Sequence, residues 1–140
     1  MKILIAVDGS EFTKKMLAYL TSHDEMFGTE HKFTIFTAQP PLPPRARTAL
    51  GATAVEAYYA EQAEATLGPV LKLLGKLSLE AKSTWKVGPA GETISKFADS
   101  GKFELIVMGS HGHSSLGNLV MGSVATQVLA FSKVPVLLVR

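Results

Sequence analysis

The chain has 140 residues, 46% of them hydrophobic and 19% charged, with a net charge of +2 and no cysteine. That length suits one domain, residues 1–140, with a sizeable core and no room for a second. The small, scattered charge argues against a nucleic-acid or membrane partner, and the absence of cysteine excludes a disulfide scaffold and a thiolate zinc site.

The opening apolar run, residues 3–7, meets Asp8 too soon for a signal peptide's core. No apolar stretch approaches the ~18–20 residues of a membrane span, so a soluble, cytoplasmic protein is expected. That first run is continuous and rich in β-branched residues, the pattern of a strand buried on both faces of a parallel sheet. Phe12, Met16, Tyr19 and Leu20 follow at helical spacing, with Ser10 placed to cap the helix. Residues 32–38 read as a second strand. Residues 39–52 carry four of the seven prolines and no periodicity, which predicts a loop or a partly mobile lid.

From 53 to 76 the apolar positions recur as in a long helix, which Gly68-Pro69 should kink or split. Residues 79–87 form a weaker, more polar strand pattern suited to a sheet edge. A helix is predicted over 92–99, a fourth strand over 103–108 and a fifth from Val134 to Val139. Val124, Ala125, Val128 and Leu129 mark the helix between the last two strands. Strands and helices thus alternate, which predicts an α/β fold: a five-stranded parallel sheet with right-handed crossovers and helices on both faces. Ligands in such sheets sit at the carboxyl ends of the strands, where the winding reverses.

Directly after the fourth strand comes a glycine-rich segment. Gly109 and Gly112, three apart, allow a tight turn and a close approach of backbone N–H groups to an anion. Gly122-Ser123 opens the last helix, whose unsatisfied N–H groups favour phosphate. The Ser123 hydroxyl can cap that helix or donate to a phosphate oxygen. No Gly-x-Gly-x-x-Gly is present, and the Gly117-to-Ser123 spacing lacks the lysine of a P-loop, so this is neither a dinucleotide fingerprint nor a Walker-type NTPase.

The spacing Gly-x2-Gly-x9-Gly-Ser resembles the universal stress protein family. So do the opening Lys-Ile-Leu-Ile-Ala-Val-Asp-Gly-Ser and the closing Val-Pro-Val-Leu-Leu-Val. The resemblance covers the whole chain. It implies a Rossmann-like sheet of order 3-2-1-4-5, a homodimer, and membership of the subgroup that binds ATP, with Mg²⁺. Carried over position by position, Gly109, Gly112, Gly122 and Ser123 would hold the phosphates and Asp8 the ribose. Ala38 would offer its backbone to the adenine edge. His111 and Val124 complete the candidate contacts. Where relatives often carry His-Val at the end of the second strand, this chain has Thr37-Ala38, a smaller wall for the adenine slot.

Plainer readings stand beside these. Asp8 also suits the turn that ends the first strand. His111 and His113 lack a third ligand nearby for a metal, and a phosphate donor or a solvated ring is the better account. Ser114 and Ser115 have no carboxylate placed to orient a base, and no nucleophile elbow. Arg45 and Arg47 could clamp a phosphate from the proline-rich loop, but solvation suits them better. The strand from Val134 to Val139 would be an apolar edge, best covered by the same strand of a second copy.

Three functions are compatible with these features: an ATP-binding, dimeric stress-response or signalling module with little or no turnover; a slow ATPase or adenylate-processing enzyme; and a dimerising interaction module without nucleotide. The missing lysine and the lack of a base or arginine finger favour the first.

Overall fold

A computed structural model describes residues 1–111 and 121–140 of the chain. Gly112, His113, Ser114, Ser115 and Gly117 lie outside the described residues. The elements run β1 Lys2–Ala6, α1 Glu11–Thr21, β2 Lys32–Gln39, α2 Pro44–Leu50, α3 Ala52–Lys76, β3 Ala81–Val87, α4 Ala90–Ser100, β4 Leu105–Gly109, α5 Ser123–Phe131 and β5 Val136–Val139. The five strands pair in parallel, as the alternation of elements predicts, in the order β3-β2-β1-β4-β5 that the family resemblance implies.

β1 is the centre of the sheet. Ile3, Leu4 and Ile5 are at most 1% exposed, and Ile5 stands opposite Ile35 on one side and Val107 on the other. Side chains alternate between faces along a strand. Ile3, Ile5 and Val7 therefore pack with Met16, Leu17 and Leu20 of α1 and with Ala63, Leu67, Val70 and Leu74 of α3. Leu4 and Ala6 pack instead with Ile94 and Ala98 of α4 and Ala125 and Val128 of α5. Two helix layers claiming both faces explain why β1 reads as an unbroken apolar run. Among the described residues, no helix is long and apolar enough to cross a membrane.

Three expectations need correction. The stretch 39–52 is not all loop, because α2 occupies Pro44–Leu50. Its prolines lie at or before the first helical position, where a missing N–H costs no intrahelical bond. The following Arg-Ala-Arg-Thr-Ala-Leu holds no helix breaker, and Gly51, at φ 82°, ends the turn. Second, Gly68-Pro69 does not split the long helix: α3 runs as one element through Pro69. One backbone bond is lost there, but buried Leu67, Val70 and Leu74 hold the helix to the sheet on both sides of it. Third, Ser10 does occupy the N-cap of α1, yet its side chain makes no capping bond, and its Oγ is buried without a partner. Asp8 Oδ1 instead accepts the N–H of Ser10 itself.

α4 and α5 approach so closely that a Cβ added to Gly91 would overlap the Gln127 side chain. The layer covering the α4–α5 face therefore depends on a hydrogen atom at position 91.

Candidate functional site

A cleft of about 610 Å³ opens at the carboxyl ends of β1, β2 and β4. That is the point where the chain, having wound from β1 toward β3, crosses to β4 on the other side of β1. Its volume lies in the range of small-molecule sites. Asp8 (after β1), Ala38 (on β2), Gly109 (ending β4), His111, Gly122, Ser123 and Val124 all line it. The fold thus brings together every predicted contact within the described residues; Gly112 lies outside them. Arg45 and Arg47 are exposed on α2 and do not line the cleft.

Asp8 turns the chain from β1 into α1. Its Oδ1 accepts the Ser10 N–H at 2.9 Å and the Thr13 hydroxyl at 2.9 Å, while the Asp8 N–H donates back to Thr13 Oγ1 at 3.2 Å. The turn reading of Asp8 therefore holds, and the same carboxylate still faces the cleft.

On β2, the Phe36 carbonyl accepts the Val7 N–H at 2.9 Å, whereas the Gln39 carbonyl accepts the Gly88 N–H at 2.8 Å beyond β3. Backbone groups alternate between the two edges of a strand. The N–H and C=O of Ala38 therefore point to the β1 side, past Ala6, the last β1 residue in that pairing. This is a donor–acceptor pair facing the cleft with no strand opposite. Gln39, which also lines the cleft, donates through Nε2 to the Tyr59 carbonyl at 2.6 Å, and Tyr59 Oη accepts the Leu42 N–H at 2.8 Å.

Ser110, 5% exposed, joins the cleft to its surroundings. Its N–H donates to the Val139 carbonyl of β5 at 2.9 Å, and its carbonyl accepts the Gly122 N–H at 2.8 Å. Its hydroxyl lies 2.8 Å from His111 Nδ1. The His111 ring leans on Phe12 at 4.8 Å, and its Nε2 is buried without a hydrogen-bond partner. Buried polar atoms in folded proteins are nearly always paired, so this nitrogen at the cleft is suited to a ligand atom.

Gly122 is the N-cap of α5 with φ −60° and ψ 152°. Its own N–H donates to the Ser110 carbonyl. The amides without an intrahelical partner are those of Ser123, Val124 and Ala125, the first turn of α5. All three residues line the cleft, and the positive end of the helix dipole lies with them. Ser123 is the first residue of α5, and the N-cap position falls to Gly122. Gly109 is close to its neighbours within the chain. A Cβ there would stand 2.9 Å from Phe12 Cβ and 3.2 Å from the His111 carbonyl oxygen, so α1 demands this glycine before any ligand does.

Among the described lining residues, Asp8 and His111 are the ionisable ones; no lysine or arginine joins them. No group of three His, Asp or Glu suited to a metal occurs among the described residues. Sequence reasoning missed Gln62 and Thr66 of α3, Thr13 of α1 and Ala90 of α4, all of which line the cleft. Gln62 and Thr66 are one turn apart, each next to a buried stripe residue, Ala63 and Leu67. Polar side chains bordering an apolar stripe at i, i+4 were the available signal.

The family model for the universal stress protein family matches residues 1–140. Universal stress protein Slr1230 of Synechocystis is 32% identical over 141 residues, covering 99% of this chain but 42% of that protein. The chain thus spans less than half of that relative. A universal stress protein of Thermus aquaticus is 30% identical over 138 residues, 99% of this chain and 97% of that one. The solved structure of MJ0577, a universal stress protein of Methanocaldococcus jannaschii, superposes with a TM-score of 0.80 at 26% identity, covering 99% and 94% of the two chains.

More distant structures share the fold and carry ligands. One from Archaeoglobus fulgidus is in complex with dAMP (TM-score 0.67, 22% identity, 100% and 98% covered). One from Arabidopsis thaliana has AMP bound (0.70, 12%, 99% and 90%), and a further universal stress protein is in complex with cAMP (0.61, 21%, 100% and 97%). With a family model matched from residue 1 to residue 140 and a relative matched almost end to end, the chain belongs to the universal stress protein family.

Proposed function

We propose that the cleft binds an adenine nucleotide, ATP together with Mg²⁺, and that the protein is a dimeric cytoplasmic module that holds the nucleotide with little or no turnover in a stress response or signal. The observation that carries this reading is the convergence of seven candidate contacts, from four separate stretches of chain, on one cleft at the switch point of the sheet. Relatives of the same fold in complex with dAMP, AMP and cAMP support the ligand class.

Each element has a task under this reading. The amides of Ser123, Val124 and Ala125, with the Ser123 hydroxyl, take phosphate oxygens at the positive end of α5. His111 Nε2 adds one more polar contact. Asp8 takes sugar hydroxyls, and the backbone pair of Ala38 takes the adenine edge. With one carboxylate and no lysine or arginine among the described lining residues, Mg²⁺ would be held chiefly by the phosphates and water, with at most Asp8 contributing. The same charge inventory favours holding over splitting, since phosphoryl transfer depends on cations placed around the γ-phosphate. The edge strand β5, with Val136, Leu137 and Leu138 only half-buried, supplies the face for a second copy.

Calorimetric titration with ATP and Mg²⁺ tests the reading, with Gly122→Val as the control. The dihedrals of Gly122 suit any residue, so the variant should keep the wild-type fold and melting temperature. Branches at the mouth of the α5 seat should abolish uptake. No uptake by the wild type, or undiminished uptake by the variant, would remove the assignment.

A further inference from the structure

Thr13 is a polar residue 5% exposed on the inner face of α1, between cleft and core. Its hydroxyl is fully occupied by one neighbour, donating to Asp8 Oδ1 at 2.9 Å and accepting the Asp8 N–H at 3.2 Å. The Ser10 N–H gives Oδ1 its second bond at 2.9 Å. An aspartate on a turn ordinarily rotates about χ1 and samples χ2 broadly. Here two donors hold one carboxylate oxygen, and the side-chain plane is set before any ligand arrives. Among the described residues, Thr13 supplies the side-chain part of that restraint and joins the carboxylate to the body of α1.

The charges of the cleft make that orientation matter. An ionised carboxylate only accepts hydrogen bonds and repels phosphate, while the amino end of α5 attracts it. The two ends of the cleft therefore sort a nucleotide by polarity. Phosphate goes to Ser123 and its neighbours, and a group rich in O–H donors goes to Asp8. The vicinal diol of ribose is that group.

Resting on the nucleotide reading, we propose that Thr13 is a positioning residue that pre-orients the Asp8 carboxylate toward the ribose hydroxyls and so makes the cleft selective for ribonucleotides over sugars lacking them. Valine has nearly the same shape as threonine but makes neither bond. Thr13→Val would keep the packing of α1 and remove the bond that ties Oδ1 to the helix. Serine keeps the hydroxyl.

The test is calorimetric titration of wild type, Thr13→Val and Thr13→Ser with MgATP and with its 2′,3′-dideoxy analogue. A hydrogen bond to a charged acceptor makes the wild type prefer MgATP by on the order of 10-fold. In Thr13→Val that preference falls toward unity through loss of MgATP affinity, with the dideoxy analogue binding as it does to wild type. Thr13→Ser restores the preference. Retention of the full preference by Thr13→Val overturns the inference, as does equal weakening of both ligands, the mark of a merely structural role. A wild type that binds both ligands equally also overturns it while leaving nucleotide binding intact. A wild type that binds neither overturns the nucleotide reading itself.

Discussion

Gly109→Ala separates two reasons for a glycine that sequence alone merges. The added Cβ would lie 2.9 Å from Phe12 Cβ, against the 3.5–4.0 Å at which carbon atoms attract. Phe12 is not the loose end of a flexible chain. Its backbone carbonyl carbon is also only 3.5 Å from the added atom, and its ring rests on His111. Relief must come from moving the first turn of α1, the same turn that holds Thr13 against Asp8. Overpacking of this kind costs about 1–3 kcal/mol, and the lower chain entropy of alanine in the unfolded state returns roughly 0.4–1.

A net loss of about 1–2 kcal/mol follows for Gly109→Ala. With an unfolding entropy of about 2.1 cal/mol/K per residue, a chain this long loses roughly 3–4 °C of Tm per kcal/mol. Scanning calorimetry of the ligand-free variant should therefore record a drop of about 3–8 °C. A Tm within about 1 °C of wild type, a change below roughly 0.3 kcal/mol, would refute the packing argument. If nucleotide affinity fell at the same time, the constraint at Gly109 would belong to the ligand.

Two further expectations concern the surroundings of the cleft. Tyr59→Phe removes the acceptor of the Leu42 N–H, which should cost about 1 kcal/mol and raise hydrogen exchange at the Leu42 amide; unchanged protection there would count against the tie between α3 and the end of β2. The apolar β5 edge should pair with its copy, so sedimentation at micromolar concentration should report a dimer, and a monomeric mass would exclude pairing through this edge.

The parts of the fold that were legible are those where one physical demand dominates. β1 is apolar at every position because helices cover both its faces, and that demand is written in adjacent residues. α2 was illegible because the prolines at 40, 41, 43 and 44 crowd at and before its first residue and conceal a breaker-free run behind them. The expected split at Pro69 does not occur for the opposite reason: its local penalty is real, but Leu67, Val70 and Leu74 outweigh it through contacts distant in sequence.

The site shows the same division. Positions belonging to the glycine pattern could be named in advance. The work of Ser110, which bonds β5, the α5 N-cap and His111, passes largely through its backbone and leaves no mark in residue type. Thr13 was hidden because a threonine on a helix suggests a surface, whereas its partner is the turn five residues earlier.

The contact between Gly91 and Gln127 works as a gauge. Gln127 stands one turn along α5 from Ser123, and Gly91 adjoins Ala90 on the cleft wall. The bulk allowed at position 91 therefore sets how near the amino end of α5 sits to the rest of the cleft. Cleft width in this chain is adjustable from the far side of the α4–α5 layer, by a residue that need never meet the ligand.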